Sequence, residues 1–227
     1  MVGAAYFEEL DETCHHEGRC EVPQSIHRFD KTIGFWVEGL KRRGLLDKVN
    51  IMITADHGMA NTSCNKIIDI DKYLDPKDFE FWDSWFNMML APKAGKEECV
   101  YKRLKNIPHL HVYRKNEVPE YLHLRNNGRI SLLVLIPSEG YLVSSIKGRY
   151  VQDEPVRTTE LSHGFSCKCK SMATVFIARG PAFKKSYVGK PFESISLYPL
   201  MCKVLGIHPL PNNGSLAATE DLLVPMN

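Results

Sequence analysis

The sequence predicts an α/β fold, with a mostly parallel sheet flanked by helices. Apolar runs typical of buried strands alternate along the chain with amphipathic stretches at helical spacing. The first such group has the order strand, helix, strand, which predicts two parallel strands joined by a right-handed crossover. Polar residues able to bind metal follow both strands, at the edge where open α/β sheets expose functional groups.

The composition is that of an ordinary globular protein with one sizeable core. Of the 227 residues, 44% are hydrophobic and 25% are charged. Lys and Arg total 29 against 27 Asp and Glu, so a net charge of +2 gives no electrostatic case for nucleic acid or anionic lipid. The first residues lack the pattern of a signal peptide, and no apolar run reaches transmembrane length.

Two features suit an extracellular protein instead of a cytosolic one. Asn61-Thr62-Ser63 and Asn213-Gly214-Ser215 both fit the N-glycosylation pattern. The seven cysteines, at irregular spacing, would suit partial disulfide pairing outside the cell. From the residues alone, both compartments stay open.

The first three elements predict a βαβ unit. Residues 4–10 are predicted as a strand that ends at Asp11. Apolar residues then recur at helical spacing over residues 24–43, which predicts an amphipathic helix closed by Gly44. Residues 49–54 return as a buried strand, parallel to the first.

Later elements are predicted from the same patterns. Prolines in the middle of the chain indicate that residues 74–160 form a loop-rich insertion or a small antiparallel subdomain. The predicted strands are residues 86–91, 109–113, 130–136 and 173–178, and the predicted helices are residues 97–104 and 194–205.

Adjacent metal ligands of two kinds follow the strand at 49–54. Asp56 offers a carboxylate oxygen, His57 offers an imidazole nitrogen, and Gly58 allows a sharp backbone turn. Alone, a polar pair after a strand is more often a turn or a helix cap.

Further ligands are predicted on the same edge of the sheet. Asp11 and His15 form an Asp-x-x-x-His pair after the first strand, and His163 precedes the strand at 173–178. Two carboxylates and three imidazoles suit a divalent metal of zinc type. The conjunction with Asp56-His57 favours a metal site over separate solvated histidines.

Two thiol-based alternatives are weaker. Cys14-His15-His16 with Cys20 suggests a structural zinc site, and Cys167-Lys168-Cys169 suggests a redox pair. Neither has the Cys-x-x-Cys spacing of a zinc module.

In order along nearly the whole chain, the motifs resemble those of the ectonucleotide pyrophosphatase/phosphodiesterases of the alkaline phosphatase superfamily. The matching motifs are Tyr6-Phe7-Glu8-Glu9-x-Asp11-x-x-x-His15-x-x-Gly18, Ala55-Asp56-His57-Gly58-Met59, Leu122-His123, Asn126-Asn127, Arg129-Ile130, His163-Gly164, Lys170-Ser171-Met172, Gly180-Pro181-x-Phe183-Lys184, Pro191-Phe192-Glu193, Tyr198-x-Leu200-Met201-Cys202 and Pro211-Asn212-Asn213-Gly214.

The resemblance implies an alkaline-phosphatase-like fold with two divalent metal ions, usually zinc. It implies hydrolysis of phosphodiesters or pyrophosphates through a covalent threonine intermediate. Carried over by motif, Asp11, His15 and His163 would hold one metal, and Asp56 and His57 would supply two of the three ligands of the other. The implied partner is a small phosphodiester of nucleotide or phospholipid type, with no nucleic acid.

The same resemblance implies a strand ahead of Tyr6 that bears another Asp ligand and the nucleophilic Thr. We therefore expect residues 1–227 to be a partial catalytic domain, incomplete at the N-terminus, with the insertion at about 74–160 inside it. Thr54 and Thr62 flank the Asp-His pair, but we interpret them as a buried strand residue and a loop or glycosylation residue. No catalytic nucleophile is identified.

The chain alone is expected to be inactive, within an extracellular or cell-surface parent protein whose membrane association the sequence leaves open. The alternative is a catalytically silent metal-binding or ligand-binding fragment, or a pseudoenzyme. A phosphomonoesterase or phosphomutase would fit the Asp and His chemistry but not the later motifs.

Overall fold

The computed structural model of the 227-residue chain describes residues 2–83, 88–145 and 161–225. The chain divides into two compact units, and each is described by itself. The first unit comprises Met1–Phe29 and His57–Ala173, and the second comprises Asp30–Asp56 and Thr174–Asn227.

The described residues form four α-helices and ten short strands. The helices are α1 (Glu9–Glu12), α2 (Val22–Arg42), α3 (Glu97–Leu104) and α4 (Leu197–Leu205), and a π-helical turn covers Thr13–Glu17. The strands are β1 (Ile51–Thr54), β2 (Ala60–Asn61), β3 (Ile67–Asp69), β4 (Phe79–Asp83), β5 (Met88–Pro92), β6 (Leu110–Arg114), β7 (Leu133–Pro137), β8 (Leu142–Ser144), β9 (Leu161–Ser162) and β10 (Phe176–Arg179).

The core of the first unit is built on a four-stranded antiparallel sheet in the order β4-β5-β7-β6. Every residue of β7 is buried, because the strand is central and both of its faces are covered. Leu133 and Leu135 pack with α3 residues on one face. Val134 and Ile136 pack with Val118 on the other.

Two short strand pairs join distant parts of the first unit. β3 pairs with β8 in parallel, and β2 pairs with β9 in antiparallel register, with Ala60 opposite Ser162. The β2–β9 pair places the residues just before β2 near those just after β9. This short ladder therefore determines which polar residues meet.

The second unit contains the antiparallel pair β1–β10 and helix α4. Its apolar cluster is centred on Phe183, Leu200 and Leu223, all buried. Ile51 lies opposite Arg179 in the ladder.

Helix α2 is amphipathic, yet its one buried residue among those described is Ser25. Phe35 and Trp36 are 70% and 46% exposed. The helix ends at Arg42 and is closed, as predicted, by Gly44, whose φ is +63°. The Leu45 amide donates to the Leu40 carbonyl and the Gly44 amide to the Lys41 carbonyl, which is a Schellman cap.

Most predicted elements are present with small shifts at their ends. The helices at 24–43, 97–104 and 194–205 correspond to α2, α3 and α4. The strands at 49–54, 86–91, 109–113, 130–136 and 173–178 correspond to β1, β5, β6, β7 and β10, although residues 84–87 lie outside the described residues. Residues 146–160 of the predicted insertion also lie outside them.

The prediction of a strand at residues 4–10 is wrong. Residues 2–8 form no strand, and α1 begins at Glu9. Glu9, Asp11 and Glu12 favour a helix start, because acidic side chains in the first turn interact well with the helix dipole.

The predicted βαβ unit is consequently not formed, and β1 pairs antiparallel with β10. β1 was expected to be fully buried. Its first three residues are only half-buried, and Thr54, at its end, is exposed. Among the described strands, parallel pairing occurs between β3 and β8, so the arrangement differs from the predicted mostly parallel sheet.

Candidate metal centre

Asp11 and His15 are brought together by the junction of α1 and the π-helical turn. Asp11 lies in α1 and His15 lies in the turn, four residues later, where side chains on one face of a helix meet. The His15 Nε2 atom lies 3.5 Å from Asp11 Oδ1. Gly18 ends the turn with φ at +82°, a conformation that favours glycine.

His57 and His163 are brought together by the β2–β9 pair. His57 precedes β2, and His163 directly follows β9. Their rings are stacked, with centroids 3.5 Å apart and planes 5° from parallel. The Nε2 atoms of His57 and His163 lie 3.9 Å and 3.7 Å from Asp11 Oδ1.

One carboxylate oxygen is therefore surrounded by three imidazole nitrogens. Asp11 Oδ1 is buried and accepts no hydrogen bond from the described residues, although a buried oxygen without a partner is costly. The three nitrogens are too distant for hydrogen bonds. Ligand atoms bonded at about 2.0 Å to one tetrahedral zinc ion lie roughly 3.3 Å apart, which is close to the separations of Asp11 Oδ1 from His15 and His163.

The donor set therefore fits a divalent metal. Ligand atoms of Asp11, His15 and His163 all lie within 4.8 Å of one another, and these side chains are half-buried. Mixed nitrogen and oxygen donors are typical of catalytic zinc.

The backbone fixes the orientation of His57. Its Nδ1 atom lies 3.1 Å from the Gly58 carbonyl oxygen, which can only accept, so Nδ1 carries the hydrogen and donates it. Nε2 is then the ring nitrogen on the side of Asp11, 3.9 Å from its Oδ1 atom. This second hydrogen bond is the usual way in which proteins orient a metal-binding histidine.

Gly58 is required for close packing. Its amide donates to the Met172 carbonyl at 3.1 Å. A Cβ atom at Gly58 would lie 1.9 Å from the Ser171 carbonyl oxygen, which leaves no room for a side chain. From the sequence, Gly58 is expected to allow a sharp turn. In the structure, glycine is required there because two segments of backbone approach each other closely.

The thiol-based zinc site finds no support among the described residues. Cys14 is buried, Cys20 is exposed, and neither joins the group of Asp11, His15 and His163. Burial and the nearby Asp11 carboxylate raise the pKa of the Cys14 thiol, which disfavours the thiolate that zinc requires.

Asp56 is also a predicted metal ligand, but it takes no part in the contacts among Asp11, His15, His57 and His163 given above. It follows β1 in the second unit, and its side chain is exposed. The division of ligands into one metal at Asp11, His15 and His163 and another at Asp56 and His57 stays a prediction. Sequence reasoning missed the π-helical turn, which has no sequence signal of its own.

The chain is similar to a known protein family and to curated relatives. A family model described as type I phosphodiesterase/nucleotide pyrophosphatase matches residues 2–166. Human ectonucleotide pyrophosphatase/phosphodiesterase family member 5 is 34% identical over 229 residues, covering 98% of this chain and 46% of the relative. The Mus musculus bis(5′-adenosyl)-triphosphatase is 34% identical over 225 residues, covering 97% and 47%.

The similarity extends to solved structures. An inactive threonine-to-alanine variant of murine family member 5, in complex with AMP, has a TM-score of 0.86 and 33% identity, over 96% of this chain and 57% of that one. The predicted alkaline-phosphatase-like α/β fold is confirmed by this match. The chain spans about half the length of the curated relatives it matches.

Within the described ranges, no helix combines the length and apolar character needed to cross a bilayer.

Proposed function

The chain belongs to the type I phosphodiesterase/nucleotide pyrophosphatase family, and from that premise we propose that it supplies metal ligands for hydrolysis of phosphodiester or pyrophosphate bonds. The family is metal-dependent. The observation that carries the proposal is the buried Asp11 Oδ1, which faces three imidazole nitrogens within 4 Å and accepts no hydrogen bond from the described residues.

The proposed ligands divide as the family motifs suggest. Asp11, His15 and His163 would hold one divalent ion, and Asp56 and His57 would contribute to a second. We propose zinc for both, because imidazole and carboxylate donors together suit it. When bound, such ions activate a nucleophile and stabilise charge on the phosphoryl oxygens. The role proposed for the residues of this chain is to hold the metal ions. The hydrogen bond from His57 Nδ1 to the Gly58 carbonyl fixes the position of His57 Nε2.

The proposed substrate is a small nucleotide ester or anhydride. Two relatives support this class: one is named for a bis(5′-adenosyl) triphosphate, and the other was solved with AMP. Both types of bond contain phosphoryl oxygens that divalent metals stabilise.

We propose that residues 1–227 by themselves bind metal without turnover. The Thr13 hydroxyl is buried and hydrogen-bonded to Ser25. Thr54 Oγ1 lies 3.4 Å from the Ala55 carbonyl and belongs to the second unit. The buried Thr13 hydroxyl is engaged with Ser25 and is not offered as a nucleophile, and the resemblance assigns that role to a threonine ahead of Tyr6.

Metal binding is tested with Asp11→Asn, which keeps the size of the side chain but removes its charge. Zinc affinity, measured by competition with a chelator, should fall by at least about 100-fold, more than the loss typical of an outer-shell change. The control is Asp47→Asn, which alters an exposed carboxylate paired with Arg179 in the second unit. That variant should bind zinc normally.

The same preparations, loaded with zinc, are assayed with a nitrophenyl phosphodiester. We expect no turnover from residues 1–227 and ready turnover from a full-length family member. Failure of the unmutated chain to bind zinc, or unchanged affinity in Asp11→Asn, would contradict the proposed metal site.

We also propose that the protein is extracellular and glycosylated at Asn213. The Asn213 side chain is exposed in a loop that is fixed at both sides. Asn212 Oδ1 accepts from the Gly214 amide at 2.9 Å, and the Ser215 amide donates to Ser196 Oγ at 3.2 Å. Asn61, in the other triplet, takes part in the β2–β9 ladder through its backbone.

Secretion from cultured cells, followed by glycosidase treatment, tests this proposal. Asn213→Gln should remove the mass of one glycan, whereas Asn106→Gln, at an exposed asparagine outside any triplet, should not. An unmodified Asn213 in secreted protein would refute it.

A further inference from the structure

Thr13 and Ser25 form a buried hydroxyl pair beside the candidate metal centre. The Thr13 Oγ1 atom donates to Ser25 Oγ at 3.2 Å. Thr13 is 3% exposed and Ser25 is fully buried. Thr13 lies midway in sequence between Asp11 and His15, and Ser25 lies in α2. The bond therefore ties the ligand-bearing segment to a neighbouring helix.

The segment that this bond holds has an unusual conformation. Thr13 begins the π-helical turn, and its carbonyl accepts the closing hydrogen bond from the Gly18 amide at 3.1 Å. Single π-helical turns are rare and less stable than a continued α-helix, and they are found frequently at functional sites. Thr13 is fixed by both its backbone and its side chain, at the residue where α1 gives way to the wider turn.

The wider turn sets the relation between two ligands on either side of Thr13. Residues four apart point differently from a π-helical turn than from an α-helix, because the number of residues per turn differs. The present geometry places His15 Nε2 3.5 Å from Asp11 Oδ1. Relaxation of the turn would change that separation.

We propose that Thr13 and Ser25 are positioning residues, which hold the π-helical turn in the form that lets Asp11 and His15 share a metal ion. Neither hydroxyl is proposed to touch the metal. This inference rests on the proposed metal site. It predicts that loss of the hydroxyl pair weakens metal affinity even in protein that remains folded.

The test compares Thr13→Val, which replaces the hydroxyl with a methyl group, with Thr13→Ser, which keeps the hydroxyl. The matched control is Thr219→Val, because Thr219 is also fully buried and its hydroxyl donates to the Leu216 carbonyl, in the second unit. Zinc affinity is measured by chelator competition. The absorption spectrum of bound Co²⁺ reports ligand geometry, and unfolding is measured in EDTA.

In Thr13→Val, we expect zinc affinity to fall by about 10–100-fold, as for changes in the outer shell of other metal sites, with an altered Co²⁺ spectrum. Thr13→Ser should keep the zinc affinity and the Co²⁺ spectrum of the unmutated chain. Thr219→Val should lose stability in EDTA but bind zinc as the unmutated chain does.

Unchanged zinc affinity in Thr13→Val would overturn the positioning role and leave the proposed site intact. Absence of zinc binding by the unmutated chain would instead defeat the proposed function. If Thr13→Val does not fold, Ser25→Ala decides, since alanine suits the helix and removes the other hydroxyl. Normal affinity in that variant would equally overturn the inference.

Discussion

At Gly58, the backbone leaves no room for a side chain. An alanine Cβ there would lie 1.9 Å from the Ser171 carbonyl oxygen and 2.9 Å from that of Ala173. Because both obstacles are backbone atoms, Gly58→Ala should lower the free energy of unfolding by on the order of 3 kcal/mol. Urea denaturation measures this change.

Substitution of Gly34 by alanine is expected to have the opposite effect on the free energy of unfolding. It lies in α2, where an added Cβ meets no atom within 4 Å. Gly34→Ala should stabilise the protein by about 0.5–1 kcal/mol, through the better helix propensity of alanine. Equal effects of the two substitutions would show that close packing at Gly58 is unimportant.

The sequence indicated that Gly58 matters but not why. Gly58 follows two potential ligands, which pointed to a tight turn. The partners that require glycine are residues 171–173, more than a hundred positions away. Such a contact comes from tertiary structure and leaves no local pattern.

Among the elements, strand β7 contributes most clearly to the core of the first unit. Leu135 is fully buried in β7, one of the two inner strands of the antiparallel sheet. Leu135→Ala should lower the free energy of unfolding by about 2–5 kcal/mol, through lost apolar burial and the cavity left behind. The value is measured by urea denaturation monitored by circular dichroism.

Leu210→Ala is the control, because Leu210 is 73% exposed. Its effect should lie within about 0.5 kcal/mol of zero. A Leu135→Ala variant as stable as this control would refute the central role of β7.

Strand β7 and the first residues of the chain show what local patterns can predict. β7 was predicted because Leu-Val-Leu-Ile is a continuous apolar run, and such runs belong to strands covered on both faces. Residues 4–10 are predicted as a strand from their local pattern alone. A strand also needs a hydrogen-bonding neighbour, and there the acidic residues start a helix instead.

At the scale of the whole molecule, the sequence predicts four of the side chains that converge but not the elements that bring them together. Asp11, His15, His57 and His163 do converge in the first unit. Their convergence depends on β2 and β9, which are two residues each and too short to show a period. Asp56 belongs to the second unit, and its role as a ligand stays a prediction.

Helix α2 gives the molecule a built-in optical reporter. The indole of Trp36 is 46% exposed, next to the largely exposed Phe35. An indole in water emits at longer wavelength than one covered by apolar groups. Any polypeptide that covers this side of α2 would shift the emission of Trp36 to the blue and protect it from a soluble quencher. The difference from a Trp36→Phe variant would isolate that signal from the other two tryptophans of the chain.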